Sequence, residues 1–506
     1  MNILSKAQTS IQISVSNQLS ILQFTSVQTE ITNLKLNLTI VQSKGQLGLI
    51  CYVKGNLNIN NYQIVGNYNI QGTIQFVGLD VQNSNVTINS VNIMSSKISG
   101  GNSSSFLVSY ISESIIVIIN CVVQQGTVQV PQLYNSIEST QFYYYQFGGI
   151  ISIANSSQVY INNIIFDCQQ QFSSQYVKNS GFIIGMALNQ LNSLHISEIC
   201  LYYSINSSST FTNFGLFGML QGYGDINQTQ IIIAGKGSFN FFGVFGEAQC
   251  QYATLCSALV LSQMSVSITL QQLDGAGDHV AALISNQHLN CSIFDIFVYD
   301  TNFSGISYVG GIIGHTCYQT YIINCVLQNG NITNSGSYTG GIISHVASSE
   351  IIANNCTTQD TNITAIKYSG GLFGFYSVTK YNLNLIIDCV IYNLTESAQN
   401  CTAGILGYIN GSITVKQTNV SKSVIQSVIN CGGFVGFSYN TVITITNSKV
   451  SSIKVISTNN FGIIVGFEVN SEKQMTESYS EGSNYVNDVI QQNCGSFLNS
   501  GNINGC

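Results

Sequence analysis

Gly310-Gly-Ile-Ile-Gly314, Gly340-Gly-Ile-Ile-Ser344, Gly370-Gly-Leu-Phe-Gly374, Ala403-Gly-Ile-Leu-Gly407 and Gly432-Gly-Phe-Val-Gly436 are five copies of one phrase. Each copy has two small residues, two bulky apolar residues, then Gly or Ser. Earlier copies are Gly148-Gly-Ile-Ile-Ser152, Phe214-Gly-Leu-Phe-Gly218 and Phe242-Gly-Val-Phe-Gly246. Gly181-Phe-Ile-Ile-Gly185, Ala281-Ala-Leu-Ile-Ser285 and Gly462-Ile-Ile-Val-Gly466 are variants. The second position of the phrase falls at Gly149, Phe182, Gly215, Gly243, Ala282, Gly311, Gly341, Gly371, Gly404, Gly433 and Ile463. The steps between them are 33, 33, 28, 39, 29, 30, 30, 33, 29 and 30 residues. Repetition at a fixed period of this size is the signature of a solenoid, whose units stack to bury faces that none could bury alone.

Two further elements lie between the glycines. One is an apolar strand ending in Asn or Asp and then Cys: Ile119-Asn120-Cys121, Phe166-Asp167-Cys168, Ile323-Asn324-Cys325, Asn354-Asn355-Cys356 and Ile387-Asp388-Cys389. The other is a short strand such as Asn331-Ile-Thr333, Asn362-Ile-Thr364 or Ser423-Val-Ile425. Alternation of period two, as in Thr441-Val-Ile-Thr-Ile-Thr446, is that of half-buried strands, and the strong helix formers are scarce. The fold class expected is all-β: a parallel β-helix of roughly 30-residue coils with three short strands per coil. Like residues then stack about 4.8 Å apart. The cysteines Cys121, Cys168, Cys325, Cys356 and Cys389 are expected to point inward as small apolar side chains with free thiols. The Asn column is expected at a corner, where Asn tolerates the left-handed backbone and can form a ladder of side-chain hydrogen bonds. The glycines are expected at tight corners or where backbones approach closely.

Gly371-Leu-Phe-Gly374 and Gly215-Leu-Phe-Gly218 resemble the core of GLUG-type repeats, found in adhesin-like and other surface proteins. The resemblance spans residues 106–466. It implies a surface-protein solenoid and transfers no catalytic residue. Residues 1–105 read as irregular opening coils with an N-terminal cap, and residues 467–506 as a C-terminal cap or tail, the whole forming one continuous structural unit. The tail holds the densest charge cluster: Glu468, Glu472, Lys473, Glu477 and Glu481.

Composition narrows the function. Of 506 residues only 7% are charged, arginine and tryptophan are absent, and the net charge is −7. Nucleic-acid binding through a basic patch is therefore excluded. No stretch reaches the roughly 18 apolar residues of a membrane-spanning helix, and Met1 to Phe24 lacks the apolar core of a secretion signal. Asn-x-Ser/Thr tripeptides occur only slightly more often than composition requires, and so permit a secreted location without arguing for it. An extracellular or cell-surface location is the expectation, with glycan or protein as partner.

Candidate chemistry is sparse. Asp274-Gly-Ala-Gly-Asp278-His279 could perform acid–base hydrolysis of a glycosidic bond, with Asp274, Asp278 and His279 as its centre. The same residues could equally bind calcium in a glycine-rich loop, and a solvated polar turn in the longest step is the expectation. His315 and His345 follow the glycine phrase at the same phase, near enough when stacked to pinch a metal. Phe375, Tyr408 and Phe437 continue that column, so a mixed aromatic stripe is the expectation, with no metal and no cofactor. The expected function is a non-enzymatic structural or adhesive solenoid that binds glycan or protein along its faces. The rival is a polysaccharide hydrolase or lyase on the same fold.

Overall fold

The computed structural model describes residues 2–4, 9–12, 19–25, 29–32, 35–74, 78–99, 103–130, 145–172, 176–188, 193–249, 258–272, 278–347, 350–378, 384–476, 478–481, 483–486 and 489–492. Among these there is no helix. The chain divides into two compact units, residues 1–259 and 260–506, each a β-solenoid of parallel strands stacked coil on coil.

In the first unit the strands Asn56–Ile74, Asn85–Ser99, Ile115–Val130, Gln158–Phe172, Ser193–Gln221 and Tyr223–Phe242 pair in parallel, each with the next. Their register stacks Leu57, Val86, Ile116, Val159 and Leu194 in one inward column. Ile59, Ile88, Ile118, Ile161, Ile196 and Ile226 form a second, two residues further on. All are buried, while the residues between them face outward. The opening coils obey the same parallel ladder as those after residue 105.

In the second unit the glycine phrase fixes the register. Gly310, Gly340, Gly370, Ala403, Gly432 and Gly462 pair in series. So do Ile313, Ile343, Phe373, Leu406, Val435 and Val465. Towards its C-terminal end the parallel pattern gives way to an antiparallel pair, Ser483–Val486 with Val489–Gln492.

The phrase glycines are not left-handed corners. A Cβ on Gly311 would sit 1.9 Å from the carbonyl oxygen of Gly341, and one on Gly341 would sit 2.0 Å from that of Gly371. The backbone of the adjacent coil occupies the space a side chain would need, so close approach is the reason for glycine. Gly149, Gly215, Gly404 and Gly433 meet the same crowding from backbone carbonyls. Gly243 donates its N–H to the carbonyl of Phe214.

The left-handed corners belong instead to polar residues. One column in the second unit is Asp295, Asn324, Asn355, Asp388, Gln417 and Asn447, with φ between 50° and 56°. Asn and Asp bear this conformation at least cost because their short side chains satisfy local polar groups. Asn324 Nδ2 donates to Asp295 Oδ1 at 2.9 Å, and Asn355 Nδ2 to Asn324 Oδ1 at 2.9 Å. The first unit repeats the ladder with Asn163 donating to Asn120 at 2.7 Å.

The residue after the corner explains the Asn-Cys pairs. Cys325, Cys356 and Cys389 direct Sγ at the carbonyls of Ile323, Asn354 and Ile387, two residues back. Thr418 and Ser448, next in the column, make the same bond through their hydroxyls, both at 2.9 Å. Cysteine here is a buried donor of Ser/Thr type that closes the turn. Cys121 does the same in the first unit, with Ile119. Cys168 does not belong to this column: Cys121 pairs with Ile164, and Cys168 lies opposite Gly126 and Tyr203. Asp167 is not a corner, which Asn163 provides.

Candidate functional site

The second unit carries its most distinctive side chains on the outside. The residue after the phrase alternates with an inward neighbour. His315, His345, Phe375, Tyr408, Phe437 and Phe467 therefore line up outward while Thr316, Val346, Tyr376, Ile409 and Ser438 are buried. All five positions expected in a stripe are thus brought into one column, which Phe467 extends. Successive rings stand 4.9 Å (His315–His345), 5.0 Å (His345–Phe375), 4.5 Å (Phe375–Tyr408) and 5.4 Å (Tyr408–Phe437) apart.

A second column lies beside it, unforeseen from the sequence. The strands entering the phrase stack His279, Tyr308, Tyr338 and Tyr368. Tyr308 and Tyr338 are 5.1 Å apart, and Tyr338 and Tyr368 are 5.5 Å apart. The two columns interlock: Tyr338 lies 5.0 Å from His345 and 4.8 Å from Phe375, and Tyr368 lies 5.2 Å from Phe375. The signal was present as Tyr308-Val-Gly310, Tyr338-Thr-Gly340 and Tyr368-Ser-Gly370, always two residues ahead of the glycine pair.

These rings are half-buried, and much of each face lies against the ring of the next coil. What the stripe offers is edges: a row of phenol hydroxyls repeating once per coil. Burial raises the phenols of Tyr308, Tyr338, Tyr368 and Tyr408 above their ordinary value, so they remain hydrogen-bond donors at neutral pH. Burial, followed by the neighbouring imidazoles, lowers His279 and His345 to about 3 and His315 to about 4. Those three rings are neutral at physiological pH.

The proposed hydrolytic centre is only partly described. Asp274 lies outside the described residues. Asp278 is exposed and accepts a hydrogen bond from Ser307 Oγ at 3.3 Å. His279 is half-buried and stacked on Tyr308 at 4.4 Å. Among the described residues no three His, Cys, Asp or Glu side chains converge on a point fit for a metal ion. His315 and His345 stack with an angle of 17° between their planes.

The first unit holds a polar constellation that linear spacing concealed. Ser193 Oγ lies 2.9 Å from His195 Nε2, and His195 Nδ1 lies 4.0 Å from Asp225 Oδ2. Tyr160 stacks on His195 at 5.0 Å. Parallel pairing alone brings the three coils' residues together. The group stands on an outward sheet face, with side-chain exposures of 38% for His195 and 33% for Asp225.

Among the described residues Cys121, Cys200, Cys291, Cys317, Cys325, Cys356, Cys389, Cys401 and Cys431 are free thiols, and all of these but Cys200 and Cys317 are buried. Cys168 is buried as well. Burial pushes the thiols of Cys121 and Cys401 up to about 12.

No protein-family model matches the chain, and no curated protein or solved structure matches it. Among the described residues no helix is long and apolar enough to cross a membrane.

Proposed function

We propose that the chain is a non-enzymatic, surface or secreted solenoid of GLUG type with a structural or adhesive role, and that it binds a glycan along the ring stripe of the second unit. The interlocked columns of Tyr308, Tyr338, Tyr368, Phe375 and Tyr408 support this reading. They present phenol donors at a constant axial step beside apolar ring edges, with no charge among them. A charge-poor face of this kind suits a neutral polymer whose hydroxyls recur at a step close to the coil rise of about 4.8 Å. Tyr is well suited to such contacts because it combines a rigid apolar ring with a polar tip. The rigidity of the stack means that little side-chain entropy is lost on binding.

Co-sedimentation with a panel of insoluble neutral polysaccharides tests the reading. The wild-type chain is expected to sediment with at least one of them, and a Tyr338→Ala/Tyr368→Ala variant to stay in the supernatant with its far-ultraviolet circular dichroism unchanged. Sedimentation unaffected by the double substitution would remove the stripe from the account. Release of soluble sugars that Asp278→Asn abolishes would favour the hydrolase instead.

A further inference from the structure

Tyr308, Tyr338 and Tyr368 stack in one outward column, and Tyr408 stands in the column beside it. Together they form a single row of phenols. Ring centroids are 5.1 Å apart for Tyr308–Tyr338, 5.5 Å for Tyr338–Tyr368 and 5.3 Å for Tyr368–Tyr408. The row therefore crosses from one column to the other without losing its step. It occupies four consecutive coils, with one phenol on each. His279 precedes it in the first column and Phe437 follows Tyr408 in the second, so neither of these positions carries a phenol.

The fold makes no use of these hydroxyls. The buried Tyr376 donates its own to the carbonyl of Ser412 at 3.1 Å, and Tyr52 of the first unit donates to Gln82 Oε1 at 3.0 Å. By contrast, no described residue forms a hydrogen bond with the hydroxyl of Tyr308, Tyr338, Tyr368 or Tyr408. Each of the four rings is half-buried against its neighbours, so the phenol is fixed in place while its polar tip is left for an external partner.

The step of the row selects the ligand. A pyranose linked through two equatorial bonds, as in β-1,4-linked glucose, mannose or xylose, advances by nearly its full length per sugar, and the chain runs straight. That advance is close to the 5.1 to 5.5 Å between successive phenols. An α-1,4-linked glucose chain, with one axial bond, winds into a helix, and so does a β-1,3-linked one. Both advance less per sugar and soon leave a straight row.

We infer that Tyr308, Tyr338, Tyr368 and Tyr408 form a four-sugar track for a neutral, equatorially linked β-1,4-glycan, which lies along the stacking direction with one sugar per coil. This assignment rests on the glycan-binding role proposed for the stripe, and adds to it the linkage, direction and length of the chain. Each phenol bonds to one sugar. Successive sugars of such a chain turn over, so alternate coils meet opposite edges of the ring. A phenol suits both edges because it can donate or accept. The track ends at Phe437, where a ring remains and the hydroxyl is missing.

Isothermal titration calorimetry of the full chain with cello-, manno- and xylo-oligosaccharides, from dimer to hexamer, is the test. At least one series is expected to bind about fivefold tighter with each added sugar up to the tetramer, the net worth of one hydrogen bond per sugar, and no tighter at the hexamer. Malto- and laminari-oligosaccharides of equal length are expected to bind at least tenfold more weakly. Tyr408→Phe keeps the ring and removes the last hydroxyl, so the affinity should level off at the trimer. Phe437→Tyr adds a hydroxyl to the next ring, 5.4 Å beyond Tyr408, and should move the plateau to the pentamer. Far-ultraviolet circular dichroism of each variant checks that the fold is retained. Affinity independent of chain length, maltohexaose binding as tightly as the β-1,4 hexamers, or a plateau that neither substitution moves would overturn the assignment. If Tyr338→Ala/Tyr368→Ala still abolished that binding, the stripe would remain a glycan site of another kind. Binding that survives the double substitution would remove both the track and the stripe. No binding in any of the three series would overturn the track, and sedimentation with other polysaccharides would then decide the stripe.

Discussion

The two units use the same coil, but the large ring cluster of the first lies inside it and the ring columns of the second lie outside. In the first unit the rings fill the interior: Phe106, Phe166, Phe182, Phe214, Phe217, Phe242 and Phe245 are all fully buried. Phe182 meets Phe214 edge-on at 5.1 Å, and Phe217 stacks on Phe245 at 4.8 Å. In the second unit the interior is mainly Ile, Leu, Val and Cys, with Phe303, Phe373, Phe434 and Tyr376 as its buried rings. Its long ring columns stand outside. Rings inside a solenoid are explained by packing. Rings in an ordered outward column do less for the fold and are available for recognition, which is why the second unit carries the functional proposal.

Substitutions at the glycine phrase test what the two units share, and should have the largest effect. Gly215→Ala places a Cβ 1.9 Å from the carbonyl oxygen of Gly243, and Gly341→Ala places one 2.0 Å from that of Gly371. Each is expected to cost more than about 4 kcal/mol, because a carbonyl of a neighbouring coil cannot move without breaking its ladder. Urea unfolding followed by circular dichroism would show it, and mild losses in either unit would mean that the close approach is not obligatory there.

The placement of rings predicts an asymmetry. Phe182→Ala opens the core of the first unit and is expected to cost about 3–5 kcal/mol. Phe375→Ala removes a half-exposed ring from a stack and is expected to cost about 1 kcal/mol. Equal losses would erase the distinction between an inner and an outer ring.

The second unit also buries a carboxyl. Glu396 is 1% exposed and occupies a core column between Ile363 and Ile425. Ser369 Oγ donates to its Oε1, and Oε2 has no partner. Burial raises Glu396 from 4.5 to about 8. The folded chain therefore keeps a proton that the unfolded chain has lost, and stability falls as pH rises from 4.5 to 8, at about 1.4 kcal/mol per unit where steepest. The lowered imidazoles still take up protons in the unfolded chain around pH 6.5 and oppose this slope, but they do so equally in wild type and in Glu396→Leu. Between pH 6.5 and 8 the stability of wild type relative to Glu396→Leu should therefore fall as pH rises. A difference between the two that does not change with pH would assign the effect elsewhere.

Corner residues should give the smallest effect, alike in both units. Asn163→Ala and Asn355→Ala each force a Cβ-bearing residue without a capping amide into the left-handed region, at about 1 kcal/mol. Glycine at either position is expected to be nearly neutral. A strong effect in one unit alone would show that the ladder is structural there and incidental in the other.

Much of this fold was legible in linear spacing. The 30-residue steps became the Gly310–Gly340–Gly370 register, and the Asn324–Asn355 pair became a ladder. The stripe from His315 to Phe437 followed from the same arithmetic. What spacing concealed was direction and partner. Glycine marks either a positive φ or a crowded backbone, and only the folded backbone separates the two. The Asn-Cys pairs looked alike until pairing moved Cys168 out of the column and Thr418 into it. Tyr308, Tyr338 and Tyr368 recur at the same period as the phrase and stand ahead of His315, His345 and Phe375, but only the turn through the glycine phrase folds each ring onto its partner. Asp225 meets the Ser193–His195 pair only through pairing between coils.

Hydroxyl-radical footprinting of the intact, native chain tests the central claim most directly, namely that the first unit's phenylalanine cluster lies inside its coils and the second unit's ring columns lie outside. Oxidation read by peptide mass spectrometry should reach Tyr308, Tyr338, Tyr368, Phe375 and Tyr408 well before Phe166, Phe182, Phe214 and Phe242. Comparable rates for the two sets, or faster oxidation of the first unit's phenylalanines, would contradict the account.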